Sequence, residues 1–77
     1  MTAILHHWEI QCMHTPDVID RILMNIRKRG MLVNSLHYTS HGDTATCIIE
    51  FEDEEASANR IHSNMLRVLD IVSINRL

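Results

Sequence analysis

The sequence predicts an α+β sandwich of βαββαβ order, with two helices on one face of a four-stranded antiparallel sheet. Three observations carry this prediction. The apolar period switches between 2 and 3.6 residues in an orderly way along the 77 residues. One segment is bounded by helix start and stop signals, Thr15-Pro16-Asp17 before it and Gly30 after it. A turn signal, Ser40-His41-Gly42-Asp43, joins two strand-like runs as a hairpin would.

The first strand spans Ile4 to Met13. Ile4, Trp8, Ile10 and Cys12 fall on one face, and Leu5, His7, Glu9, Gln11 and Met13 on the other. In the first helix Thr15 is placed to cap the free amides, Pro16 fits the first helical position, and Asp17 suits the positive end. Ile19, Ile22, Leu23 and Ile26 follow as an apolar stripe, and Gly30 offers a left-handed stop. The second strand covers Met31 to Thr39, where Val33 and Leu36 lie three apart, so a bulge near Asn34 and Ser35 is expected. The third covers Thr44 to Glu52, with Ala45, Cys47, Ile49 and Phe51 inward. Asp53-Glu54-Glu55 begins the second helix, where acidic side chains offset the amide dipoles. Ala58, Ile61, Met65 and Leu66 form its packing face, and Val68 to Ile74 is the final strand.

Right-handed crossovers and short connections turn this order into a ferredoxin-like fold with strands arranged fourth, first, third, second. The sheet face away from the helices and the second-strand edge stay open. A single core of this size leaves only about 3–5 kcal/mol of net stability, and an open edge invites pairing. A homodimer through the second-strand edge is therefore expected.

Composition narrows the function. The net charge of −3 disfavours nucleic acid. Arg27, Lys28 and Arg29 read as cations at a helix end rather than a phosphate site. The chain shows no secretory signal peptide and no apolar run of the ~20 residues that span a bilayer, so a soluble, cytoplasmic single domain with reduced cysteines is expected.

No catalytic constellation emerges. His6 and His7 point to opposite faces of a strand, and His14, His37, His41 and His62 are scattered, without the short-spaced pairs that zinc needs. Cys12 and Cys47 fall inward on neighbouring strands and read as small hydrophobes. No Walker loop, GxGxxG or GxSxG is present. The place for a ligand is the loop from Met13 to Pro16 running into the first helix. There His14, Thr15, Pro16, Asp17, Val18 and Ile19 surround free amides at a positive helix end. That arrangement suits the carboxylate of an amino acid, but on the residues alone an ordinary capped helix start is the preferred reading.

The segment HTPDVIDRILMNIRKRGMLVNSLHY resembles the first loop, helix and second strand of ACT domains. Its likeness is greatest to the small regulatory subunits of acetohydroxyacid (acetolactate) synthase. Arg21, the Arg29-Gly30 stop and the following Val33, Ser35 and Leu36 (an RG-x-x-V-x-S-L pattern) carry the match, which extends over most of the chain. A single domain without a C-terminal partner is similar to the isozyme II type. Valine-sensitive members carry asparagine, proline and glycine in the loop. Here His14 takes the asparagine position, Pro16 is kept, and Asp17 replaces the glycine. A carboxylate at Asp17 would stand near the ligand's own, and like charges at ~4 Å cost about 1 kcal/mol even in water. Weak or lost valine binding is therefore expected.

The resemblance implies a non-catalytic subunit that binds and activates the catalytic large subunit in branched-chain amino-acid synthesis. Thiamine diphosphate, magnesium and FAD would belong to that partner and none to this chain. The solvent-side sheet residues, Glu9 and Gln11 among them, are candidates for the contact. Two other readings stay open: a free-standing homodimer sensing an amino acid between two first loops, and a purely structural dimerisation module.

Overall fold

A computed structural model describes residues 2–27, 32–68 and 70–77. The elements are β1 (Ile4–Met13), α1 (Val18–Arg27), β2 (Val33–His41), β3 (Thr44–Asp53), α2 (Glu55–Met65) and β4 (Ile71–Arg76). The sheet order is β2-β3-β1-β4, every neighbouring pair antiparallel. This is the expected topology, because each helix carries the chain across the sheet between strands that are not neighbours. Both helices bury their apolar residues in one cluster with the inward residues of β1 and β3.

Alternation decides the core. Trp8, Ile10 and Cys12 from β1 meet Ala45, Cys47, Ile49 and Phe51 from β3, all buried. Above them lie Val18, Ile22 and Ile26 of α1 and Ala58, Ile61 and Met65 of α2. The β1–β3 ladder is unbroken over its length, from Ile4 opposite Asp53 to Met13 opposite Thr44. The bulge expected near Asn34 and Ser35 is present: pairing jumps from Val33–Phe51 to Ser35–Glu50. The extra residue turns both Val33 and Leu36 toward the core.

Several boundaries differ from the sequence reading. Thr15 does not cap α1. The carbonyl of Asp17 accepts the first helical bond, from the Arg21 amide, which puts the cap position at Asp17 and leaves Pro16 in the preceding turn. In the helix stripe Val18 is buried, while Ile19 and Leu23 are only half-buried. Ser40 and His41 extend β2, so the hairpin turn is Gly42-Asp43, with Gly42 at φ +72° where L side chains are strained. Asp53 ends β3, and Glu54, in extended conformation, precedes α2. Leu66 follows the last helical residue and is 49% exposed, outside the packing face.

The final strand starts at Ile71 rather than Val68. Val68 donates its amide to Met65, and Ile71 donates to Val68, so those residues form a turn before the chain can extend. Ile4 is also more exposed than expected, because His6 takes the inner position at that end of β1. Its ring stacks on Phe51 at 5.2 Å, and Nε2–H donates to the Asp53 carbonyl at 3.0 Å. The expected Gly30 stop and the Met31 start of β2 lie outside the described residues. Among the described residues no helix is long and apolar enough to cross a membrane.

Candidate functional site

Antiparallel pairing brings four segments to one end of the sheet: the end of β1, the start of α1, the hairpin side of β2 and the connection into β4. The loop after β1 is tied down mostly through its backbone. Met13 N–H donates to Asp70 O at 2.8 Å, His14 N–H to Asp43 O at 2.8 Å, and Thr15 N–H to Met13 O at 3.0 Å. Val18 N–H reaches Thr15 O at 3.3 Å. The amides of His14, Thr15 and Val18 are thus engaged and Pro16 has none to offer, while those of Asp17, Ile19 and Asp20 take no backbone partner among the described residues.

Asp70 is the hub of this end. Its carbonyl receives Met13, and its carboxylate oxygen Oδ2 accepts from Thr15 Oγ1 at 3.0 Å and from Arg21 Nη1 at 3.2 Å. One residue therefore clamps β1, the loop and α1 to the start of β4. Beside it, His14 Nδ1 and the Tyr38 hydroxyl lie 2.8 Å apart, their rings tilted at 5.6 Å between centroids. Tyr38 stands opposite Cys47 on the helix side of β2, beyond the fully buried core.

The predicted residues separate into three environments. His14, Pro16 and Asp17 are exposed, and Thr15 is half-buried against Asp70. Ile19 is half-buried at the rim of the core, whereas Val18 is fully buried within it. The Val18 side chain therefore anchors the helix and is closed to a ligand. Tyr38 and Asp70 were not foreseen. Tyr38 shares the inward parity of Leu36, which was a usable signal, but the pairing with His14 across 24 positions was not. No enclosed cavity lies at this end among the described residues, nor any group of three metal-ligating side chains.

The two thiols are unsuited to nucleophilic work. Burial, and then the nearby Cys12 sulfur, pushes Cys47 up to about 11. Burial followed by the Asp70 carboxylate raises Cys12, a Tyr38 hydrogen bond opposing them. The Tyr38 phenol is likewise raised, by burial first and then by both thiols. A raised thiol pKa means less thiolate at any given pH. At pH 8 a pKa near 11 leaves on the order of one thiolate in a thousand, roughly a hundredfold below an ordinary cysteine. Alkylation of Cys47 in the folded chain should be slower than in urea by at least about that factor, and Cys12 should also be slowed, both thiols reacting on unfolding. Rapid labelling of either cysteine without denaturant would contradict the buried placement.

No family model and no curated protein sequence matches the chain. Solved structures do match in shape. The ACT domain from GTP pyrophosphokinase of Chlorobium tepidum superposes with TM-score 0.84 at 16% identity, covering 99% of this chain and all of that one. The acetolactate synthase small subunit from Thermotoga maritima gives 0.79 at 12% identity, over 95% of this chain and 47% of that one. The regulatory subunit of aspartate kinase from Thermus thermophilus gives 0.67 at 13% identity, over 97% of this chain and 55% of that one. The chain has the ACT fold.

Proposed function

We propose that this chain is a non-catalytic regulatory subunit that binds the catalytic subunit of an acetolactate synthase and raises its activity. The observation that carries the reading is the likeness of fold to an acetolactate synthase small subunit over 95% of the chain. The sequence segment from His14 to Tyr38 points the same way. Activation requires only that the chain bind the active conformation of its partner more tightly than the inactive one. Thiamine diphosphate, magnesium and FAD are assigned to the catalytic subunit, with acetolactate formed there. The test is acetolactate formation by the same organism's catalytic subunit, with and without this chain. A several-fold saturable rise supports the reading; an unchanged rate at saturating chain removes it.

The second reading, a homodimeric amino-acid sensor, is favoured by one feature. β2 is an edge strand of nine residues, and the His14–Tyr38 end beside it is open rather than enclosed in a single copy. Pairing two β2 edges would bring two such ends toward one another. Saturable binding of an amino acid to the isolated dimer would establish that role.

In either role valine is expected to bind weakly, because exposed Asp17 places a carboxylate at the start of α1. Asp17→Gly should tighten valine binding by roughly fivefold or more in a calorimetric titration, in line with about 1 kcal/mol of relieved repulsion. An affinity that stays flat would show that Asp17 does not face the ligand.

A further inference from the structure

The end of β4 carries a side-chain cluster that the loop site does not use. Trp8 of β1 stands opposite Arg76, and the guanidinium carbon lies 5.1 Å from the centroid of the indole. Three side chains of α2 reach the same guanidinium. Asn59 Oδ1 accepts from Nη1 at 2.7 Å, Glu55 Oε1 accepts from Nη2 at 3.1 Å, and His62 Nδ1 lies 3.5 Å from Nη1. The His62 ring also packs on the indole, 5.5 Å between centroids at 56°. Arg76 is thus held between a helix and the buried tryptophan, with 28% of its side chain exposed.

The chemistry of the two side chains fixes the protonation state of this arrangement. A guanidinium has five N–H donors and no acceptor. Nδ1 of His62 can face it only as an acceptor, so the ring is neutral and carries its proton on Nε2. A proton added at Nδ1 turns the contact into N–H against N–H and sets two cations 3.5 Å apart. The surroundings offer little compensation. β4 presents Arg76, and β1 presents Trp8, whose ring lies 6.2 Å from that of His6. From α2 itself come Glu55 and Asn59, each already accepting from Arg76. Burial first, and then the Arg76 charge, hold the half-buried His62 below the ordinary imidazole value of 6.5.

We propose that His62 is a proton-operated latch on the last strand. Neutral, it completes the set of acceptors that keeps Arg76 over Trp8; protonated, it repels Arg76 and frees the end of β4 from α2. Because the folded state disfavours the proton, the latch is closed above about pH 6.5 and opens as pH falls below it. β4 is an edge strand of six residues, paired with β1 on one side. Acid therefore loosens one edge of the sheet, whichever partner the chain serves.

The test follows the full chain by NMR from about pH 8 to about pH 5. In the wild type the His62 ring is expected to titrate below 6.5. The ring-current shift that the indole imposes on the Arg76 side chain is expected to be lost in the same step. His62→Gln, which offers Arg76 an amide oxygen that takes no proton, should keep that shift throughout. Arg76→Gln should move the His62 titration to higher pH. Urea midpoints at the alkaline end establish that each variant is folded. An Arg76 side chain that stays over the indole while His62 titrates overturns the latch, as does the same loss of shift in His62→Gln. The wild-type titration decides the matter even where a variant fails to fold.

Discussion

Replacing Trp8 with alanine is expected to leave the isolated chain without a cooperative unfolding transition at room temperature. The indole is 1% exposed and occupies the middle of the core. Its ring meets Phe51 edge-on at 4.9 Å and 87°, and lies 5.5 Å from the His62 ring. The Arg76 guanidinium sits 5.1 Å from the ring centroid. Truncating a buried tryptophan costs about 3–5 kcal/mol in lost transfer energy and cavity formation. A single core of this length supplies roughly that much in total. Far-UV circular dichroism across a urea titration should show a cooperative transition for the wild type and none for Trp8→Ala. Trp8→Phe, which keeps an aromatic partner for Phe51, should unfold cooperatively at lower urea. A wild-type midpoint for the alanine variant would mean that the core does not depend on this side chain.

The tryptophan was legible from sequence for a local reason. Period-2 alternation in β1 and β3 assigns each residue to a face before any partner is known, and the core is the sum of those assignments. The bulge in β2 was legible in the same way, as a break in parity between Val33 and Leu36. Element ends were less so. Thr15 carries the chemistry of a cap, and nothing nearby in sequence says that Asp70, 55 positions on, will compete for its hydroxyl. The turn through Val68 is hidden likewise, because β-branched residues read as strand whether or not the backbone has yet extended. The loop was located correctly as a segment, but its contacts within the fold were not foreseen. Engaged amides, the buried Val18 and the His14–Tyr38 contact all depend on which strands the fold sets side by side.

Removing the Asp70 carboxylate tests that long-range end of the fold. Asp70→Ala deletes the acceptor for both Thr15 Oγ1 and Arg21 Nη1 while sparing the backbone bond from Met13. The ion pair is partly solvated, with the Arg21 side chain 47% exposed, so it contributes on the order of a few tenths of a kcal/mol. The Thr15 bond is charge-assisted and sheltered, and contributes about 1.5–3 kcal/mol. A total loss of roughly 2 kcal/mol is expected, most of it through Thr15. Thr15→Val should therefore approach the Asp70→Ala effect, Arg21→Ala should fall well short of it, and the Thr15–Asp70 double variant should add little beyond either single change. Amide exchange at His14 and Thr15 should accelerate in Asp70→Ala more than exchange in the middle of β3, because the clamp acts locally. Additive losses in the double variant would show that Thr15 and Asp70 act separately. Unchanged loop exchange would show that the backbone bonds alone hold this end of the sheet.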